Sequence, residues 1–262
     1  MNELITGLLQ ESISGIALGS IYALIALGFT LIYKASEVVN FAQGEVMMVG
    51  AYVNFFFVSY FSSIVGEVNG WVFLLAFLGS IIFAIIFGII LDFIINRPLK
   101  DEPVFSIIMA TISLAIILRA LTALIAGPIS LVPQSPFGGS VMKVAGVVVS
   151  YLDLSIIFSA VVLMGLFFVF FNKTRWGIAM KATSEDSEAA QLMGIPVKKV
   201  YMIVWVFAAI VGVVSGILLA PRMSLLDTSM GFLGLKAFPA AILGGFGSIP
   251  GAVVGGIILG VI

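Results

Sequence analysis

Cysteine and histidine are both absent from the 262 residues, and charge is sparse, with 12 Lys+Arg against 13 Asp+Glu. Without thiol or imidazole there are no disulfides, no thiol nucleophiles, no usual zinc ligands and no imidazole acid–base catalyst, which argues against an intramembrane enzyme. A phosphate loop of the form Gly-x-x-x-x-Gly-Lys-[Ser/Thr] is also missing, so the chain is not an ATP-hydrolysing subunit. No long polar interval occurs either. The longest runs about 28 residues, short of the ~50 at which a separate domain begins, so residues 1–262 are expected to form one transmembrane domain. The start, Met1-Asn2-Glu3-Leu4, lacks the basic stretch of a signal peptide, and the first apolar run is expected to remain as a spanning helix.

What is present is hydrocarbon: 61% of residues are hydrophobic and the mean hydropathy is +1.26. Apolar runs of roughly 20 residues recur along the chain, each long enough to cross a ~30 Å hydrocarbon core as a helix. Barrel strands would instead alternate apolar and polar residues over only ~10 positions. The expected fold is therefore an all-α polytopic membrane protein. About eight hydrophobic segments are predicted, at roughly 9–32, 42–62, 70–95, 104–126, 147–171, 200–220, 228–246 and 250–262. Residues 127–146 hold Gly127, Pro128, Pro133, Pro136, Gly138 and Gly139 and read as a loop. From Met223 to Gly251 the apolar pattern is broken by Gly231, Gly234, Pro239, Gly244, Gly245, Gly247 and Pro250, so a discontinuous or re-entrant segment is predicted there.

Basic residues near span ends favour the cytoplasm. Lys173, Arg175, Lys181, Lys198 and Lys199 fall in the 172–200 interval, and alternation puts Lys34, Arg97 and Lys100 on the same side. Lys143 and Arg222 fall opposite, which predicts a cytoplasmic 172–200 loop and an N-terminus outside. Arg119 lies about seven residues, ~10 Å, from the outer end of its span and is expected to snorkel outward. Asp92 beside Arg97 is expected to be structural at the inner interface. Lys236 adjoins the broken segment or lies in an outer loop.

The one polar helix signal is Ala182 to Pro196. Thr183 or Ser184 is the predicted N-cap, Glu185, Asp186 and Glu188 suit the positive end of the dipole, and Gly194 followed by Pro196 ends the helix after about ten residues. Either it is a solvated linker, or Ala189, Ala190, Leu192 and Met193 dock into a groove on a cytoplasmic partner. In the membrane, Asn40, Gln43 and Glu45 enter the second span, where lipid offers no hydrogen bonds. They either contact substrate or tie down backbone groups at a bent helix start. The Pro239, Gly244 and Gly245 region frees amides and carbonyls of the kind broken transporter helices use for binding, with close helix packing as the alternative. The Asn40–Gly50 and Phe238–Gly251 turns hint at an internal two-fold repeat.

Glu188-Ala189-Ala190 followed by Gly194 resembles the EAA motif of ABC importer permeases, whose loop forms the coupling helix. Two longer stretches are more specific. Gly15 to Leu24 with Val39-Asn40-Phe41-Ala42-Gln43-Gly44-Glu45, and Phe238 to Ala252, resemble the LivH-type permease subunit of branched-chain amino acid ABC importers. They look less like the LivM-type partner. The resemblance implies ATPase coupling at Glu185, Glu188, Ala189, Ala190 and Gly194, and a substrate pathway near Asn40, Gln43, Glu45, Pro239, Gly244 and Gly245. It also implies a prokaryotic inner membrane, a second LivM-like permease subunit, two cytoplasmic ATPase subunits and an extracytoplasmic binding protein. No cofactor is expected in this chain, with ATP and magnesium in the partner ATPase, and nucleic acid is not an expected partner. Such permeases usually continue past a position like Ile262 into another span and a basic tail, so the final topology stays open. The sparse charge suits a zwitterionic or neutral solute: branched-chain amino acids, with urea or other amides as the alternative within the family. An autonomous secondary transporter or channel is the alternative class. It would usually place several ionisable residues at mid-bilayer depth, and the sequence offers no such cluster.

Overall fold

The computed structural model of the protein describes residues 2–99, 102–127, 129–135, 140–144 and 147–262. Its long helices are α1 (Asn2–Ser36), α2 (Gln43–Val65) and α3 (Gly70–Leu91), the last continued by a π turn at Asp92–Asn96 and by α4 (Arg97–Leu99). Next come α5 (Val104–Ala126) and a two-stranded hairpin of β1 (Val141–Val144) and β2 (Val147–Ser150). The chain then forms α6 (Tyr151–Lys173), α7 (Arg175–Glu185), α8 (Ser187–Leu192) and α9 (Val197–Met223). Three short helices close it: α10 (Met230–Lys236), α11 (Phe238–Gly244) and α12 (Ile249–Val261). Among the described residues six helices are long and apolar enough to cross a membrane, and Met230–Gly244 and Ile249–Val261 are shorter apolar stretches. The protein is thus a polytopic helical membrane protein, and the Met223–Gly251 region is discontinuous as its glycines and prolines predict.

Two expectations shift. The segment expected to start near 147 begins as strand, because the β-branched run Val147-Val148-Val149 pairs with β1 in the register Val141↔Ser150. The helix starts only where the Ser150 side chain accepts the Leu152 N–H, at 3.2 Å. The 127–146 interval is accordingly half of a hairpin as well as a loop. Pro128, Pro136, Gly138, Gly139 and Lys100 lie outside the described residues.

Helix α1 is the centre of the bundle, 83% buried over its apolar window, while α5 is only 17% buried. Small residues make the tightest contact possible: Gly15 faces Gly260, and Gly256 lies so close to Ala23 that a Cβ there would meet its backbone N at 2.3 Å. This pairing runs α12 antiparallel to α1. Helix α9 is the second buried helix and packs against α1, α2 and α3. Around them, α3, α5 and α6 turn apolar side chains outward, such as Ile116, Leu124 and Phe158.

Several basic residues lie at the ends of this bundle. Lys34 and Lys181 border one small cavity, and Arg97 donates to the Met202 sulfur near the start of α9. At the opposite end Arg222 pairs with Asp153 and donates to the Ser14 carbonyl at 3.0 Å, tying α9, α6 and α1 together. There, too, Leu131 and Leu226 exchange backbone hydrogen bonds. Asp92 is fully buried, held by Arg97 Nε at 2.9 Å and Asn96 Nδ2 at 2.7 Å, as a structural ion pair should be.

Candidate functional site

At the end rich in lysine, Asp186 breaks the chain into two helices. Its backbone is extended (φ −156, ψ 106), and its Oδ1 accepts the N–H groups of Glu188 and Ala189, both at 2.9 Å. Asp186 is therefore the N-cap, which corrects the expectation of Thr183 or Ser184. Those two hydroxyls donate backward within α7, to Ala179 O at 2.9 Å and Lys181 O at 2.8 Å. The difference arises because Ser and Thr hydroxyls inside a helix can bond to carbonyls of the preceding turn instead of capping. Glu185 consequently ends α7 instead of opening α8. The far end behaves as predicted. Gly194 is left-handed at φ +85, Ile195 N–H reaches Ala190 O at 3.0 Å and Gly194 N–H reaches Gln191 O at 3.0 Å, a Schellman closure.

Helix α8 has one inward and one outward face. Ala190 is buried against Val197 and Tyr201 of α9, and Ser187 hydrogen-bonds Tyr201. Ala190 therefore belongs to this chain's own packing, contrary to the expectation that it enters a partner groove. Leu192 and Met193 are 89% and 83% exposed, beside exposed Ala189. Two large apolar side chains are thus left uncovered at the end of this helix.

Above α8 lies a cavity of about 400 Å³, within the range of small-molecule sites, ~300–1,000 Å³. Ser187, Glu188 and Gln191 of α8 form one wall, and Asn40, Asn96 and Thr111 contribute polar atoms from the membrane side. The Asn40 turn is built by its own side chain: Oδ1 accepts the Ala42 N–H at 3.0 Å, and the Asn40 carbonyl accepts the Gln43 N–H at 3.2 Å. Gln43 Nε2 donates to Ala208 O at 3.0 Å. Ala208 is eleven residues into α9, roughly 16 Å along it, so α2 begins deep in the bundle and not at its surface.

Glu45, in the first turn of α2, is 3% exposed and pairs with Arg119 of α5. Arg119 thus turns into the protein and does not snorkel outward as expected, because a buried carboxylate within reach outweighs the interface. Its guanidinium also lies 3.7 Å from the centroid of the Phe232 ring on α10. Gly231 closes the site from the other side: a Cβ there would sit 2.2 Å from Glu45 Oε2. The sequence reading missed Gly231 and Phe232 as neighbours of Glu45. The signal available was charge balance, since Glu45 and Arg119 both lie in apolar spans and each requires a partner.

The remaining candidates lie apart. Gly244 is held against Gly251, where a Cβ would meet a carbonyl oxygen at 2.1 Å, which makes it a packing residue. Gly245 takes φ +79 at the end of α11, and Pro239 is exposed in its first turn. Lys236 is exposed in the last turn of α10, within the broken segment. Phe238 bridges the two turns, with ring centroids 5.7 Å from Phe41 and 5.5 Å from Phe246.

The chain is thus a bundle of outward-facing apolar helices with a capped helix at its basic end and a polar cavity over it. The high-affinity branched-chain amino acid transport system permease protein LivH of Escherichia coli (strain K12) is 34% identical over 269 residues, covering 100% of this chain and 86% of its own. The corresponding permease protein BraD of Pseudomonas aeruginosa is 35% identical over 260 residues, covering 97% and 84%. No solved structure matches significantly. The family model described as branched-chain amino acid transport system / permease component matches residues 12–262, and the chain belongs to that family.

Proposed function

We propose that residues 1–262 act as one transmembrane permease domain of an ABC importer that moves branched-chain amino acids into the cytoplasm. Hydrolysis of ATP with magnesium takes place in two separate cytoplasmic ATPase subunits. A LivM-like second permease subunit packs against the sparsely covered α5 face, and an extracytoplasmic binding protein delivers substrate. The N-terminus lies outside and the 172–200 loop in the cytoplasm of a prokaryote's inner membrane. The excess of basic residues at the α7–α8 end supports that orientation.

The observation that carries this reading is the two-faced α8. Its outer residues Leu192 and Met193 are free to enter an ATPase groove, while Ala190 and Ser187 bind α9 through Tyr201. Movement of the ATPase then reaches a long buried helix and the wall of the 400 Å³ cavity. For ATP to drive transport, α8 must bind the ATPase differently in the inward and outward states, because equal affinity shifts no equilibrium. Glu188 and Gly194 serve by shaping the helix, and Glu185 by ending α7 beside it. Asn40 and Gln43 form the rigid rim of the pathway, and Pro239 and Gly245 border its broken segment, where Gly244 packs α11 onto α12. The Asn40–Gly50 and Phe238–Gly251 turns, in contact through Phe41 and Phe238, are read as counterparts in an internal repeat from their sequence pattern alone.

The test is co-purification in mild detergent. Leu192→Ala/Met193→Ala removes only exposed side chains, so insertion and the second permease should be retained and the ATPase lost. Retention of the ATPase with normal coupled hydrolysis would refute the docking assignment.

A further inference from the structure

Neither Glu45 nor Arg119 lines the cavity above α8, and their pairing is expensive to keep. Ionisable groups at this depth are rare and mark function by default, and a buried ion pair is a poor source of stability. The strongest such pairs are bidentate, engaging both carboxylate oxygens and two nitrogens of the guanidinium fork. Here Glu45 Oε2 and Arg119 Nε have no hydrogen-bond partner among the described residues. Exposure is also lopsided: the Arg119 side chain is 29% exposed and that of Glu45 only 3%. The guanidinium is the accessible member of the pair, and the carboxylate is buried behind it. Phe232, against the guanidinium, and Leu235, one turn further, are exposed and apolar. A cation, an anion and a hydrocarbon surface thus meet in one place.

We infer that Glu45 and Arg119 form the intramembrane subsite for the zwitterionic head of the transported amino acid. The inference rests on the importer reading above and gives its substrate a chemical address. With no substrate the pair closes on itself. When substrate arrives, Arg119 passes from the Glu45 carboxylate to the substrate carboxylate, and Glu45 takes the substrate ammonium. One ion pair and one zwitterion become two ion pairs, with no proton or counter-ion moved and no charge stranded. The aliphatic side chain lies along Phe232. The same arrangement excludes inorganic ions, since a lone cation or anion would satisfy one member and leave the other unpaired. Arginine suits the role better than lysine because its planar fork holds a carboxylate through two bonds.

The experiment uses the whole complex in proteoliposomes, with labelled leucine uptake and ATP hydrolysis measured together. The variants are Arg119→Lys, Glu45→Gln and the exchange Glu45→Arg/Arg119→Glu, each checked for assembly by size exclusion. The expected result is that Arg119→Lys, which keeps a cation opposite Glu45, assembles but moves at least tenfold less leucine per ATP. The exchanged pair should assemble and stay equally defective. Wild-type leucine per ATP in either of these variants would make the pair a fixed clamp and overturn the inference while leaving the importer reading intact. Uptake and hydrolysis falling strictly in parallel would overturn it too. If the wild-type complex itself shows no ATP-dependent leucine uptake, the importer reading fails and the subsite with it.

Discussion

Gly231→Ala isolates the contact on which the intramembrane site is built. The added methyl would lie 2.2 Å from Glu45 Oε2 and 2.4 Å from both Oε1 and Cδ, more than 1 Å inside ordinary van der Waals contact. The carboxylate has little room to retreat, since Glu45 is 3% exposed and the backbones of α2 and α10 touch at Gly44 and Gly234. Overpacking alone costs about 1–3 kcal/mol. If the carboxylate is displaced from Arg119, the stranded charge adds about 3–5 kcal/mol by the measure of broken buried pairs. The terms share one displacement and do not simply add, so about 3 kcal/mol is the expected loss, roughly a hundredfold in the folding equilibrium. Reversible unfolding in mixed detergent micelles, followed by circular dichroism, measures it. The decisive step repeats Gly231→Ala in a Glu45→Ala background, where the methyl no longer meets a carboxylate. There the substitution should cost less than about 0.5 kcal/mol, giving a coupling of 2 kcal/mol or more in the double-mutant cycle. Equal cost in both backgrounds would refute the collision, and no cost in the wild type would refute the closeness of α10 to Glu45.

The cap and the deep helix start each make a sharp prediction. Asp186→Ala should lose about 1 kcal/mol of helix α8 and speed amide exchange at Glu188 and Ala189, whereas Ser184→Ala should leave both amides protected. Equal protection in the two variants would refute the Asp186 cap, and loss in Ser184→Ala alone would return it to Ser184. Gln43→Met removes the donor to Ala208 O while nearly keeping volume, and should lower stability by about 1 kcal/mol in the same unfolding assay. A neutral result would mean that water, not Gln43, satisfies that carbonyl.

How much of this could be read beforehand depends on the range of the forces involved. Membrane insertion, the existence and length of the spans, the break after Met223 and the left-handed Gly194 are all local properties. They follow from runs of apolar residues, from proline and glycine, and from the absence of alternatives for a bare backbone in lipid. Which face of a span is buried was not legible where a helix such as α3 is apolar nearly all round and carries little periodic signal. Ala190 illustrates the same limit: only the arrival of Tyr201 and Val197 from α9 turns it inward. The cap moved by two or three residues because Ser184 and Thr183 had an equally local alternative, bonding to the turn behind them.

The sequence by itself thus determined that this is a helical membrane protein with one capped helix at its basic end, and its motifs placed it in a permease family. Only the tertiary structure decided that Arg119 turns inward to Glu45, that Gln43 reaches Ala208, and that Gly231 and Phe232 complete the site. Those contacts join residues 74 and 165 positions apart along the chain and residues of three or more helices. In lipid, where apolar faces are nearly interchangeable, the choice of partner rests on shape and on the few polar groups that must find each other.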